Sequence, residues 1–550
     1  MVSLGVDFGS TYTMVSVFRD GKPEVVQPDN LTFSYPSIVA YDLKKKSYIY
    51  GMPARNKIGQ PNIVAFKGFK MLLNGAMSSE RLKERNYDGN NTPEKITELF
   101  LKYVIQNTLK KLNETVVEHL VLGAPECWFE SIQTADARSV LRDICSKIDS
   151  VKDVRIISEP INAAAYGIWC YNKMKPDNKS FNGSVLVVDY GGGTLDTAIV
   201  SIHQNKNEKL KVKSEMRSGR GENRDNEIGT AGIAYQEAVV RRAIKDATGI
   251  DETNIPTGTE FFSAVKALED DLICNASDIE DTFETYKATQ TQLAKEFLLD
   301  FMYQGDSIEI NYGHLLSVYN QLIRPVLDNV LKESIEGLPN TAQIHLLPVG
   351  GFCNFVLVRE QILEFCSKHF NWGMIGREDK VILLEEANRE KAIAHGASLF
   401  SDNVIDLCYV AEYGIGVYAE RGGKVYENYA IDYGQEYIPD EVNFATDADG
   451  NPSIMMLTGL DTFLINFSRN KKDHMPPMCP SKFFADQLND ALKKIGFQVA
   501  VGFSIDVKER LSVHIFKYNN DPAHRGISKK ADETIQLSTF RECFRNTVIS

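Results

Sequence analysis

The sequence predicts an α/β protein built as two lobes and followed by a small β-rich unit. Three observations carry that expectation. The chain has 550 residues, too many for one hydrophobic core. Short Val/Ile-rich runs alternate with helical stretches up to about Asp402, the pattern of sheet strands covered by helices. A strand, an acidic glycine-containing turn and a returning strand occur twice, at Val2–Phe18 and at Ser184–Ile202.

Taken in order, strands are expected at Val2–Asp7, Thr13–Phe18, His119–Ala124, Arg155–Ser158, Ser184–Asp189, Thr197–His203 and Ile344–Val349. Helices are expected at Thr92–Asn113, Ile132–Lys147, Ile161–Tyr171, Ile233–Thr248, Gly313–Ile335 and Ala387–Phe400. Thr92-Pro93 supplies an N-cap and a first-turn proline before the apolar spacing Ile96, Leu99, Phe100, Tyr103, Val104. After Leu407 the character changes to Gly, Pro, Tyr and alternating apolar residues, with one helical segment at Ser481–Ile495 closed by Gly496. Phe497–Phe516 alternates over two runs around an Asp506–Arg510 turn and predicts a hairpin. The expected organisation is residues 1–402 as two lobes (about 1–182 and 183–402), a linker at 403–408 and a β-rich part at 409–550.

Composition narrows the function classes. Hydrophobic residues make up 43% and charged residues 25%, the balance of a globular chain rather than a disordered one. A formal net charge of −13 argues against a nucleic-acid binder, which needs a basic face. No apolar run approaches the ~20 residues that span a bilayer, and the N-terminus reads directly into a strand, so neither a membrane nor a secretory route is expected. The nine cysteines are scattered with no Cys-x-x-Cys pair, which fits reduced thiols in a cytoplasmic protein. Asp7-Phe8-Gly9 spells a kinase metal motif but lacks its companion loops, and Asp447-x-Asp449-Gly450 fits a hairpin turn better than a calcium loop. The histidines form no paired metal set.

The repeat carries the chemistry. Each copy ends an apolar strand with an aspartate, Asp7 or Asp189, and follows it with a turn: Gly9, Ser10, Thr11, Tyr12 in the first, Gly191, Gly192, Gly193, Thr194 in the second. A triphosphate is bulky and anionic, so backbone N–H groups must approach it closely, and glycine removes the Cβ that would obstruct them. Hydroxyls add donors. The two aspartates suit Mg²⁺ held through water, and Asp196 is a further carboxylate in reach.

These turns resemble the first and second phosphate motifs of the 70-kDa heat-shock chaperones, within the superfamily of actin, sugar kinases and heat-shock ATPases. SEPINAAAYGI (Ser158–Ile168) resembles the connecting motif, in which Glu159 opens a helix that spans the lobes, and LLPVGGFCNF (Leu346–Phe355) resembles the adenosine motif with Gly350 and Gly351. NREKAIAHGASLF resembles the closing segment, with Glu390 at its acidic position. FKMLLNG resembles the run whose lysine reaches the γ-phosphate, matching Lys70 with Lys67 as the second candidate, and LGAPECWF places Pro125 at a switch proline. The resemblance implies an actin-like ATPase of duplicated ribonuclease-H-like lobes that binds ATP or ADP with Mg²⁺. Asp7, Lys70, Glu159, Asp189 and Asp196 are its implied catalytic set.

Departures accompany the matches. Gln133 stands where the family has an arginine, and Phe352 and Asn354 replace Ser and Arg of Gly-Gly-Ser-Thr-Arg. Lys266 is the candidate for the opposite-lobe clamp, and Gly229, Thr230 and Gly232 are the nearest equivalents of Gly-Gly-Glu-Asp-Phe-Asp. VAVGFSIDVKERLSVHIF resembles the family's β-rich substrate domain; the sequence ends soon after the Thr534–Leu537 strand, so its helical lid is expected to be missing. The resemblance implies coupling of nucleotide state to an unfolded peptide or dedicated partner, with J-domain or nucleotide-exchange co-chaperones as further partners. A non-hydrolysing sensor or scaffold and a small-molecule kinase are the alternatives.

Overall fold

The computed structural model describes the chain except residues 31, 74–78, 127, 129–136, 175–180, 204–209, 221–230, 257, 290–292, 294–295, 337, 339–342, 373–377, 412–413, 422–423, 433–434, 448–449, 457–461, 471–472, 475–489, 491–493, 496–497, 507–509, 522–524 and 540–550. It divides into two compact units, Met1–Asp406 and Leu407–Ser550. The architecture is mixed α/β, as the strand and helix alternation predicts.

In the larger unit the first sheet is built on β1 (Val2–Phe8), which pairs antiparallel with β2 (Tyr12–Arg19), itself antiparallel to β3 (Lys22–Val25). A separate small sheet follows, of β4 (Ile38–Asp42), β5 (Ser47–Tyr50) and β6 (Ile63–Lys67), with the short helix α1 (Gly51–Arg55) between the last two. Helix α2 (Pro93–Leu112) starts as the sequence predicts: the Thr92 hydroxyl accepts from the Lys95 N–H at 3.3 Å, and Asn113 closes the helix in the left-handed region. Its buried Phe100 lies edge-on to Phe69, with ring centres 5.4 Å apart, and Phe69 stacks on Phe8 at 6.0 Å. Beyond α2, β7 (Val117–Ala124) lies parallel to β1 and β8 (Val151–Ser158) parallel to β7. The described part of the next expected helix is α3 (Ala137–Ser146). Gln133 lies outside the described residues.

Helix α4 (Glu159–Met174) leads to a second sheet on the same plan. There β9 (Gly183–Tyr190) pairs antiparallel with β10 (Leu195–His203), which pairs antiparallel with β11 (Leu210–Arg220). Around it come α5 (Gly232–Thr248), α6 (Thr259–Cys274), α7 (Ala276–Thr289) and a two-stranded ribbon of β12 (Phe297–Tyr303) and β13 (Asp306–Asn311). The expected helix at Gly313–Ile335 is α8 (Tyr312–Val318), a wide π turn at Tyr319–Ile323 and α9 (Arg324–Ser334). Pro325 has no N–H to donate four residues back, which accounts for the widened turn before it. Then β14 (Ile344–Val349) lies parallel to β9, as β7 does to β1, so strand plan as well as local motif is duplicated.

Helix α10 (Val356–His369) precedes the closing segment, where the structure differs from expectation. The predicted helix Ala387–Phe400 is a turn at Glu386–Arg389 and a separate α11 (Ala392–Ser401). Arg389 bonds the Leu384 carbonyl at 3.0 Å and Asn354 at 2.8 Å, tying the short turn to residues outside the helix. Helix α11 is buried along its length; a Cβ on Gly396 would stand 1.7 Å from the Asn162 carbonyl oxygen of α4. Its His395 meets the Ser16 hydroxyl at 2.8 Å, and burial pushes the imidazole down to about 4, so it stays neutral.

The smaller unit has its own apolar core, with Ile415, Val417, Val501, Phe503, Val513 and Ile515 among its members. One sheet holds β15 (Gly414–Arg421), β16 (Lys424–Ile431) and β17 (Thr462–Asn470), the other β18 (Gln498–Ile505), β19 (Arg510–Asn519) and β20 (Glu533–Thr539). The hairpin expected at Phe497–Phe516 is β18–β19, paired from Val499↔Lys517 to Ile505↔Leu511. Most of the expected helix Ser481–Ile495 lies outside the described residues. No helix among the described residues is long and apolar enough to cross a membrane.

Candidate functional site

The two glycine turns, far apart in sequence, interlock. A Cβ on Gly193 would lie 2.4 Å from the Ser10 hydroxyl and one on Gly192 2.6 Å from the Thr11 hydroxyl, so any side chain there would collide with the first turn. The start of α5 holds the second turn from behind: the Gly232 N–H donates to the Gly191 carbonyl at 3.2 Å and the Ile233 N–H to the Gly192 carbonyl at 2.9 Å. Those carbonyls are engaged and the Gly191 N–H donates to the Thr194 carbonyl at 3.0 Å, so Gly192 and Gly193 supply the amides to offer an anion. The loop after β14 closes on the same point. Gly350 has φ +86°, and a Cβ there would be 2.5 Å from the Asp189 carboxylate and 2.6 Å from the Tyr190 carbonyl oxygen.

Beside the turns lies a pocket of buried charge. Lys70 and Glu159 are each 3% exposed and form an ion pair at 2.5 Å. Lys70 sits on a one-turn 3₁₀ segment, Phe69–Leu72, whose Phe69 is anchored on Phe8, and its ammonium lies 5.9 Å from the Phe8 ring centre and 6.0 Å from that of Trp128. Burial works against its charge, but Glu159, Asp7 and Asp196 outweigh that and hold the ammonium above its usual value. The acids move the other way. Burial, reinforced by Glu159 and only partly offset by Lys70, pushes Asp7 up to about 7. Asp189 rises well above the carboxylate range through burial and the charges of Glu159, Asp196 and Asp7. Asp196 also rises, through burial and then Glu159, against the Thr194 hydroxyl and the Glu126 N–H that favour its anion. Asp189 and Asp196 face each other across the β9–β10 pair, where the first hairpin opposes Asp7 with Met14.

Other expected residues are placed as follows. Phe352 joins an aromatic cluster with Tyr190 (4.9 Å), Tyr235 (5.3 Å) and Phe355 (5.8 Å), and Asn354 accepts from Arg389. Gly351 is exposed with open space around it. Tyr12 turns away from the carboxylates, its hydroxyl 3.4 Å from Glu269 on α6. Lys266 is an exposed residue of α6 and Glu390 is exposed after its turn. Lys67, the second lysine candidate, lies 5.1 Å from the Phe262 ring and outside the Glu159 pair. Gly229 and Thr230 fall outside the described residues.

Several site residues escape sequence reasoning. Glu126 is fully buried; its N–H donates to Asp196 at 2.7 Å and its carboxylate accepts from the Ser158 hydroxyl. The available signal was the one that marks Asp7 and Asp189, an acid closing an apolar strand, here one residue beyond Pro125. Arg55 on α1 reaches Glu269 at 3.3 Å and Asp270 at 3.5 Å, joining the small sheet to α6 over the cleft. Nothing local in the sequence announces that pair.

Two sheets of one strand plan, with the glycine turns of their twin hairpins packed against each other, define an actin-like α/β fold. Comparison with known proteins narrows this. Residues 3–245 match the family model described as Hsp70 protein. The chaperone protein DnaK of Mycoplasmopsis agalactiae is 31% identical over 229 residues, 41% of this chain and 34% of that protein. DnaK of Mycoplasma mycoides subsp. mycoides is 27% identical over 396 residues, 70% of this chain and 58% of the relative. DnaK of Metamycoplasma hominis is 30% identical over 226 residues, 41% and 34% of the two chains. Over these residues the chain is similar to the Hsp70 chaperones, and its matches span between a third and three fifths of the length of those curated proteins.

Proposed function

We propose that the chain binds ATP with Mg²⁺ in this cleft, hydrolyses it slowly, and couples nucleotide state to peptide or partner binding by the C-terminal β unit. The interlock of Ser10 and Thr11 with Gly193 and Gly192 carries the proposal, because a glycine turn backed by a helix start and faced by hydroxyls suits phosphate oxygens. The charge inventory fits the cation. Among the described residues, four carboxyl groups, Asp7, Glu159, Asp189 and Asp196, interact with the Lys70 ammonium, and the aspartates are raised by burial and by the charge of neighbouring carboxyl groups. Asp7 and Asp189 would hold the cation through water. When bound, Mg²⁺ supplies charge neutralisation at the phosphates.

The chain's own residues would do the rest. Lys70, kept cationic by its acidic neighbours, steadies the γ-phosphate, and Glu159 holds Lys70 in place. The buried Oδ2 of Asp196 has no hydrogen-bond partner among the described residues and would accept the proton of the attacking water. Water oxygen bonds to the γ-phosphorus as the bond to the bridging oxygen breaks, and the electron pair leaves on ADP. J-domain and nucleotide-exchange co-chaperones are the proposed partners and the cytoplasm the proposed location.

The Asp189→Asn variant tests the assignment: phosphate release should be abolished with the melting profile intact, and undiminished hydrolysis would sink it. A non-hydrolysing nucleotide sensor is the second reading, favoured by the close Lys70–Glu159 pair, which occupies the lysine before any phosphate arrives. Titration with ATP, ADP and GTP in Mg²⁺ separates the two, since tight ATP binding without phosphate release over hours selects the sensor.

A further inference from the structure

We propose that Glu126 is a positioning residue for hydrolysis, fixing Asp196 and the Ser158–Glu159 corner in one register across the cleft; this rests on the phosphate-site reading above. Glu126 follows Pro125 at the end of β7 and is 0% exposed. Two of its ties run in opposite directions. Its main-chain N–H donates to Asp196 Oδ1 at 2.7 Å, on the second sheet. Its carboxylate Oε2 accepts from the Ser158 hydroxyl, on the first sheet. Ser158 ends β8 and is bonded directly to Glu159, which opens α4 and grips Lys70.

The consequence for Asp196 is directional. With Oδ1 held by a main-chain donor, the carboxylate cannot spin freely, and its buried Oδ2, without a partner among the described residues, is presented in a fixed orientation. The consequence for Glu159 is similar: the residue before it is pinned, so the first turn of α4, and with it the Lys70 ammonium, is located relative to Asp196. One residue thus relates the proton acceptor on one sheet to the phosphate-facing cation on the other. Geometry of this kind controls rate rather than affinity, because a small misplacement of acceptor and cation costs turnover while leaving most phosphate contacts in place.

A stabilising role alone does not account for the choice of residue. An ionisable group with no solvent exposure, next to another carboxylate that its charge disfavours, costs stability, and an apolar side chain of similar size would fill the space more cheaply.

The test uses the full chain with Glu126→Gln, Glu126→Leu and Ser158→Ala, reading single-turnover phosphate release, Mg·ADP affinity and melting temperature. Glutamine still accepts from Ser158, so its rate should stay within about 3-fold of wild type. Glu126→Leu and Ser158→Ala should each lose roughly 10- to 100-fold in rate with Mg·ADP affinity within about 3-fold, and Glu126→Leu should melt no lower than wild type. An unchanged rate in Ser158→Ala overturns the inference, as does an equal loss in Glu126→Gln. So does a joint fall of rate, affinity and melting temperature in Glu126→Leu. If that variant does not fold, Ser158→Ala and Glu126→Gln decide between them. Wild type that binds Mg·ADP yet releases no phosphate overturns this inference alone, whereas wild type that binds no nucleotide overturns the phosphate site itself.

Discussion

Asp7 stores a pH dependence that the free chain should display. Its folded-state value of about 7 stands above the ordinary 3.8, so between those two values the folded protein keeps a proton that the unfolded chain releases. Folding then takes up a proton, and this contribution to stability is full below about 4 and lost as the pH rises through 7. Melting of the nucleotide-free protein should therefore fall between pH 5 and pH 8, and fall less in Asp7→Asn, which should melt a few degrees above wild type at pH 8. An identical slope in the variant would place the titration elsewhere. At this scale much of the candidate site was legible, because Asp7, Asp189 and Asp196 close or open apolar strands and motif order singles out Lys70 and Glu159. What stayed hidden were acids and bases whose role depends on a distant partner. Glu126 carries a strand-end signal masked by Pro125, and Asp189 opposite Asp196 emerges only from strand register.

Among elements, α1 and β2 meet α6 through Arg55, Tyr12 and Glu269, half-buried groups on opposite sides of the cleft. A partly screened ion pair of this kind contributes on the order of 0.2–1 kcal/mol, enough to slow opening without locking it. In Arg55→Ala, ADP should dissociate roughly 2- to 5-fold faster with the single-turnover hydrolysis rate unchanged, measured by stopped-flow chase. Equal dissociation rates would show that the contact does not gate the cleft. Elements with local signals were readable: α2 has its Thr92 cap and apolar stripe, and β18–β19 its alternation. The β4–β6 sheet and the β12–β13 ribbon were not, since their strands are short and their pairing is decided by tertiary packing rather than by pattern. The break before α11 likewise follows from Arg389 bonding outside its own turn.

At the scale of the whole molecule, every described residue of the candidate site belongs to Met1–Asp406, and the core of Leu407–Ser550 draws on that unit's own residues. A fragment of residues 1–406 should accordingly bind Mg·ADP within about 2-fold of the full chain by calorimetry; a tenfold loss would mean that the second unit shapes the site. The twofold organisation was legible because a repeated hairpin survives in sequence, whereas the repeated parallel strands β7 and β14 became evident only as pairings. The repeat is not perfect, and the imperfection matters. Two equivalent hairpins would grip a phosphate chain alike from either side and leave the line of attack undefined. Met14 opposite Asp7 and Asp196 opposite Asp189 break that equivalence. Under the proposed hydrolysis the cleft would have a handed chemistry, with an inert thioether on one flank and the proposed proton acceptor on the other, so a water molecule would be activated from one direction only.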